Sequence, residues 1–242
     1  LRVNEYDFDF ALPRTETKIG LSHQDFEVIT NASLSFKEAA IRRDFTINAI
    51  GYDFFKEEFI DPFDGIEDLK TKTIKHINDK TFIEDSLRVY RAVAFASRFN
   101  FKIEEKTKEL CKQIVLKNEL KYLPKERVYE EFKKLFLKSS KPSIGFELMR
   151  EIGILKYFSE LQALINCIQE PEYHPEGDVW VHTMMALDEM ARILKEENIE
   201  NDYKELYLFY SILCHDFGKP FCTEEINGKI TSHKHESLGI EP

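Results

Sequence analysis

The sequence predicts an α+β chain in which sheet comes first and helix follows. Three observations carry this. Acid and aromatic residues alternate with period 2 through Tyr6–Leu12, and short strand-like runs recur as far as Ile77. Beyond Asn100, apolar residues fall at three- and four-residue steps. At 242 residues and 43% hydrophobic content, the chain can bury one large core or two small ones. The expected division is 1–78, 79–170 and 171–242.

In chain order, the alternating strand points Asp7 and Asp9 to one side, as a pair of metal-binding carboxylates would, and Pro13 ends it. Residues Thr17 to Leu34 are polar and aperiodic and predict a long mobile loop. Ser35 to Glu38 form a capping box, and the helix it opens is expected to run through Ile41–Ile50 to Gly51, with Asp44 and Asn48 on one face. Tyr52–Ile60 reads as a hairpin around Lys56-Glu57, Asp61–Gly65 as a turn, and Thr73–Ile77 as a short strand. Asp79 or Thr81 can then cap a central helix, Ile83–Phe99, on which Glu84, Asp85, Arg88 and Arg91 share one stripe. On an arbitrary helix such a stripe is a solvated ladder of ion pairs.

Helices are expected at Glu104–Leu116, Lys125–Leu137, Pro142–Ile152 and Ile154–Ile168, and the chain is expected to be all-helical from Asp178 onward. Five of the seven histidines, His174, His182, His215, His233 and His235, fall in the last third and suggest a metal or acid/base site there. His174 and the single Trp180 are read as structural.

Composition narrows the function. A formal net charge of −10 argues against broad non-specific nucleic-acid binding, although cations outnumber acids from Lys121 to Arg150. No run of about 18 apolar residues and no signal-peptide pattern is visible, so a soluble, cytoplasmic protein with no membrane partner is expected. Four scattered cysteines without a C-x-x-C pair suit a reducing compartment. The abrupt start in a strand and the end shortly after a histidine cluster suggest a fragment.

Four stretches carry a resemblance. FALPRTETKIG, IRRDFTINAIGYD, IDPFDGIEDL and EDSLRVYRAVAFASRF, in this order, resemble the successive motifs of the class II tRNA nucleotidyltransferases, the bacterial CCA-adding enzymes. VWVHTMMAL and ILCHDFGKP resemble the HD phosphohydrolase domain fused to some members. The resemblance implies the remainder of a nucleotidyltransferase sheet, then a helical neck and body that bind nucleotide and tRNA, then a partial, helical HD domain.

It further implies template-independent addition of CMP and AMP from CTP and ATP to the 3′ end of tRNA. Cytosine and adenine both present an exocyclic amino donor beside a ring-nitrogen acceptor, so a carboxylate and a guanidinium select them together against uracil and guanine. By resemblance Asp85 and Arg88 are that pair, and Glu84 orients the guanidinium. Arg43 and Arg91 match positions that contact phosphate or sugar, and Asp44 and Asn48 complete the same motif. Asp61, Gly65 and Asp68 imply a structural coupling of head to neck. Mg²⁺ is the implied cofactor of transfer. Its Asp-x-Asp is expected upstream of Leu1, with a lesser role open to Asp9.

The loop at Thr17–Leu34 implies full CCA or A addition. His182, His215 and Asp216 match the divalent-metal ligands of an HD domain, with His233 or His235 as a further ligand. The family's third arginine after Arg91 is here Ala94, so Ala94→Arg is expected to tighten ATP binding. A poly(A) polymerase or A-adding enzyme, and an HD-type phosphohydrolase acting alone, are the rival functions. Oligomeric state is left open.

Overall fold

The computed structural model describes residues 2–3, 6–7, 11–18, 26–199 and 201–240. Its strands form separate two-stranded pairs. β1 (Arg2–Val3) pairs antiparallel with β2 (Tyr6–Asp7). Asp9 lies outside the described residues, as does 19–25 of the expected loop.

Much of that loop is a hairpin instead. β3 (Arg14–Lys18) pairs antiparallel with β4 (Phe26–Thr30), with Arg14 opposite Thr30. Thr15, Thr17, Val28, Ile29 and Thr30 are β-branched and favour strand. The period-2 signal fails because Val28 and Ile29, neighbours pointing to opposite faces, are both exposed (49% and 57%), so neither face is marked as buried.

The capping box forms at α1 (Phe36–Ala40): the Ser35 hydroxyl accepts from Glu38 N–H at 3.3 Å and the Glu38 carboxylate accepts from Ser35 N–H at 2.8 Å. The helix then stops at Ile41, well short of Gly51. Asp44 diverts the backbone, its carboxylate accepting from Phe45 N–H at 2.9 Å, the local competition that makes Asp a poor helix-interior residue. Phe45 is extended, bridges His76 and buries its ring against Phe82 and Phe95, and a 3₁₀ turn, Thr46–Asn48, follows.

The expected hairpin is present as β5 (Gly51–Asp53) and β6 (Glu58–Ile60). α2 (Gly65–Lys70) starts where Asp61 accepts from the N–H groups of Gly65 and Ile66, each at 2.8 Å. A Cβ on Gly65 would lie 2.3 Å from the Thr46 carbonyl oxygen, and Asp68 accepts from the Thr46 hydroxyl at 2.7 Å. Asp61, Gly65 and Asp68 therefore clasp the Asp44–Asn48 turn.

β7 (Thr73–Ile74) leads to α3 (Asp79–Glu84), capped by Asn78 and not by Asp79 or Thr81, and then to α4 (Arg88–Phe99). The single central helix is thus two helices. Asp85 sits at φ −120°, ψ 98° and accepts from Leu87 N–H at 3.1 Å, so the side chain again replaces a helical bond. β8 (Lys102–Ile103) pairs in parallel with β7, an exception to an all-helical body, and the crossover is α3–α4 itself.

Next come α5 (Glu105–Leu116), α6 (Lys125–Lys138) and α7 (Ser143–Ile152), close to expectation. The segment expected as one helix from Ile154 is a 3₁₀ turn, Ile154–Tyr157, followed by α8 (Ser159–Ala163). α9 (Val179–Glu196) and α10 (Asp202–Cys214) carry histidines as expected. The last third is not all helix, however. β9 (Glu224–Ile226) and β10 (Lys229–Thr231) form a hairpin over Asn227-Gly228, both at positive φ (53° and 78°), and α11 (His235–Leu238) follows. Asn-Gly is a strong hairpin signal and was legible.

α4 packs on α6 and α7, α10 on α6 and α9, and α9 on α7. The buried apolar residues form one continuous cluster from Phe45 to Leu213, across residue 171. Trp180 is fully buried in it, and its indole N–H donates to Glu147 at 2.5 Å. Among the described residues no helix is long and apolar enough to cross a membrane, and the four cysteines are unpaired.

Candidate functional site

Two polar constellations stand against this core. The first lies where the Asp44–Asn48 turn meets the α3–α4 joint and α6. Arg91, from α4, donates from Nε to Asp44 Oδ2 at 2.6 Å and brings Nη1 to 3.6 Å from Glu131. Asp44 (7% exposed) also accepts from the Asn48 side-chain amide at 3.0 Å. Burial opposes the charge on Arg91, but Asp44 and then Glu131 outweigh it and leave its pKa raised. Arg43 is exposed and donates to the Asn48 carbonyl at 2.9 Å.

Arg88 donates to two main-chain carbonyls, Thr81 at 2.8 Å and Arg42 at 2.5 Å, which ties the start of α4 to α3 and to the residue before Arg43. Burial pushes its guanidinium below the ordinary arginine range, against the pull of Asp85, Asp44 and Glu84. Asp85 faces Arg127 Nη2 of α6 at 3.4 Å. The expected helical stripe is therefore not what gathers these groups. Glu84 ends α3, Asp85 is in the joint, and Arg88 and Arg91 begin α4. The break turns a solvated ladder into an inward cluster that holds Glu84, Asp85, Arg88, Arg91, Asp44 and Asn48 together. Arg127 and Glu131 were missed. The signal was available, since Glu131 is a carboxylate on the apolar side of α6 and is 5% exposed.

This cluster does not fit a Mg²⁺ site. Asp44 and Glu131 are committed to Arg91, Asp61 to backbone N–H groups, and Asp68 to Thr46. Among the described residues, the groups of His, Cys, Asp and Glu close enough to share an ion lie in the last third.

That second constellation joins the start of α9, the end of α10 and the turn before α9. His182, His215 and Asp216 bring ligand atoms within 4.8 Å of one another. His215 Nδ1 lies 2.7 Å from the Ile212 carbonyl, so the neutral ring carries its proton there and turns Nε2 toward Asp216 Oδ2 at 3.1 Å, where the charged ring donates and its pKa is raised. Asp216 is 2% exposed, and its Oδ2 makes no well-angled hydrogen bond, although Lys219 Nζ lies 2.8 Å away. Burial would raise the Asp216 pKa, yet His215 and Lys219 hold it at about 2. His182, the neutral His215 ring and Asp216 offer ligand atoms close enough to share one cation. Two imidazoles and one carboxylate suit a divalent transition metal.

Of His233 and His235, the second lies nearer the cluster, its Nε2 3.6 Å from Asp216 Oδ1, while His233 is exposed. A Cβ on Gly218 would lie 1.9 Å from the His235 carbonyl, so only glycine lets α11 approach. His174, read as structural, lies in the cluster too, its ring centroid 5.0 Å from that of His182. The reading missed Glu176, which joins the two histidines.

Comparison with known proteins places two family models within residues 1–165. Residues 1–75 match the family model "Poly A polymerase head domain", and residues 100–165 match "Probable RNA and SrmB- binding site of polymerase A". The "Multifunctional CCA protein" of Mannheimia succiniciproducens is 39% identical over 239 residues, covering 97% of this chain and 55% of that protein. The chain is similar to this CCA protein over nearly its whole length. A second such relative, the "Multifunctional CCA protein" of Pseudoalteromonas atlantica, is 36% identical with the same coverage. A solved "tRNA-processing enzyme (apo form 2)" matches with a TM-score of 0.58 at 30% identity, over 84% of this chain and 55% of that one. "The structure of CCA-adding enzyme apo form II" matches with a TM-score of 0.60 at 26% identity, over 84% and 44%. The chain spans about half the length of the curated relatives it matches.

Proposed function

We propose that this chain selects the nucleotide and binds the RNA in a CCA-adding tRNA nucleotidyltransferase, which transfers CMP and AMP from CTP and ATP to the 3′ end of tRNA. The observation that carries the reading is the joint at Asp85. It sets an acceptor carboxylate and a donor guanidinium three residues apart at the start of α4, beside Arg91 and Asp44. In the proposed roles, Asp85 accepts from the exocyclic amino group shared by cytosine and adenine, and Arg88 donates to the ring nitrogen next to it. Uracil or guanine would leave a carbonyl facing the Asp85 carboxylate, a desolvated acceptor pair. Arg88 and Asp85 would exchange their present partners, the Thr81 and Arg42 carbonyls and Arg127, for the base.

Arg43 and Arg91 are the proposed phosphate and sugar contacts, and Asn48 positions Asp44. Nucleotidyltransferases of this family use Mg²⁺, and no step of this reading is routed through it. The proposed division is a head (1–78), a neck and body (79–170), and a metal-binding part (171–242). Labelled CTP and ATP should be incorporated into tRNA lacking its 3′ terminus by the protein that carries this chain. Processive extension with ATP alone, with CTP ignored, would replace the reading with a poly(A) polymerase.

A second reading covers the last third, where the ligand atoms of His182, His215 and the buried Asp216 lie within 4.8 Å of one another and favour a divalent-metal phosphohydrolase of the HD type. A bound ion would supply Lewis-acid polarisation of a phosphoryl group. The chain's own part is to hold ligand atoms and, through Lys219, to offer a cation beside Asp216. Hydrolysis of a 2′,3′-cyclic nucleotide that survives Asp85→Ala and is lost in His215→Ala is the expected result.

A further inference from the structure

We propose that Glu176 is the positioning residue of the last-third centre, and that His174 holds Glu176 in place. This rests on the reading of His182, His215 and Asp216 as a divalent-metal centre. The chain makes a turn at His174–Gly177, where Gly177 N–H donates to the His174 carbonyl at 3.3 Å. Gly177, at φ 125°, ends it, and Asp178 then caps α9 by accepting from Val181 N–H at 2.9 Å. This sets Glu176 beside the first turn of α9, which carries His182.

One oxygen of Glu176, Oε1, lies 2.7 Å from His182 Nδ1 and 3.0 Å from His174 Nδ1. A carboxylate oxygen can only accept here, so both Nδ1 atoms carry the proton. His182 is thereby fixed in the tautomer whose Nε2 lone pair is its ligand nitrogen. His215 reaches the same state through the Ile212 carbonyl. The two imidazoles are therefore set alike, one by a backbone acceptor and one by Glu176.

The turn is clamped at its other end as well. The Gln169 side-chain amide donates to the Gly177 carbonyl at 3.3 Å, and its oxygen accepts from Lys219 Nζ at 2.7 Å, the ammonium that pairs with Asp216 at 2.8 Å. The chain of contacts closes a ring from Glu176 through His182, His215, Asp216, Lys219 and Gln169 back to Gly177. A carboxylate behind a metal-binding imidazole fixes ring orientation and raises ligand basicity, and its loss lowers metal affinity by ~10–100-fold.

The test titrates this protein with cobalt(II) against a chromogenic chelator and records the visible absorption of the bound ion. It compares parent, His215→Ala, Glu176→Ala, Glu176→Gln and His174→Ala, each with a thermal melt of the metal-free form. The parent should bind one cobalt(II) per chain, and His215→Ala should abolish binding. Glu176→Ala should lose roughly 10–100-fold in affinity and change the cobalt spectrum, with its metal-free melt unchanged. Glu176→Gln, which keeps an oxygen acceptor for His182, should recover most of the loss, and His174→Ala should fall between Glu176→Gln and Glu176→Ala. Failure of the parent to bind cobalt(II) overturns the metal centre itself. Parent binding that is lost in His215→Ala but unaltered in affinity and spectrum by Glu176→Ala leaves the centre standing and overturns the role of Glu176.

Discussion

Replacing Asp44 by alanine removes one acceptor from three donors: Arg91 Nε at 2.6 Å, Phe45 N–H at 2.9 Å and the Asn48 amide at 3.0 Å. The Arg91 side chain is 29% exposed and keeps Glu131 at 3.6 Å, so the cation left behind is largely desolvated and poorly paired. Breaking a buried pair by removing one partner costs ~3–5 kcal/mol. The residual exposure of Arg91 and its contact with Glu131 set the expectation at the lower end, about 3 kcal/mol. For a chain of 242 residues that corresponds to a fall in Tm of roughly 6–12 °C. Thermal unfolding followed by circular dichroism measures it. A double-mutant cycle with Arg91→Met isolates the pair, and the double variant should lose about 1 kcal/mol or more less than the sum of the single losses. A loss for Asp44→Ala within about 0.5 kcal/mol of zero, or strictly additive losses, would refute the claim that this pair holds the turn.

Three further outcomes are expected. Ala94 is only 6% exposed, so Ala94→Arg should destabilise by ~1–3 kcal/mol on urea unfolding, a cost that accompanies any contact the new guanidinium gains with ATP. Hydrogen bonds from His76 and then Lys106 hold Asp79 down at about 2 from 3.8. Its depressed pKa contributes stability above pH 3.8 that is lost as the pH falls toward 2, so Asp79→Asn should reduce the fall of melting temperature with pH in that window relative to the parent, the remainder coming from Asp216 and Glu176. Gly218→Ala puts a methyl group against the His235 carbonyl, which should push α11 away and weaken cobalt(II) binding in the same chelator titration, with CTP affinity unchanged.

The long helices from Glu105 to Cys214 were legible because each presents an apolar stripe to a shared core, and burial writes that stripe into the sequence. The capping box at Ser35 and the hairpin around Lys56-Glu57 were legible from local chemistry alone. The errors share one cause. At Asp44 and at Asp85 a short carboxylate takes a backbone N–H two residues or fewer away and ends a helix whose apolar period runs on unbroken. Periodicity records which face is buried, not whether the backbone stays helical, so it hid both breaks. The β3–β4 hairpin was hidden for the opposite reason, since exposed strands leave no apolar record. In the candidate sites, motif order singled out Asp85, Arg88 and His215 from the sequence. Arg127, Glu131 and Glu176 lie in other segments, and only the fold brings them near.

The central claim is that Asp85 and Arg88 read the edge shared by cytosine and adenine. Equilibrium binding of CTP, ATP, UTP and GTP to this chain, before and after Asp85→Asn, tests it most directly. A correctly placed carboxylate and guanidinium are worth ~1–3 kcal/mol of discrimination, so CTP and ATP should bind about 5–150-fold more tightly than UTP and GTP, and Asp85→Asn should abolish the difference. Equal affinity for all four nucleotides, or a preference that survives Asp85→Asn, would contradict it.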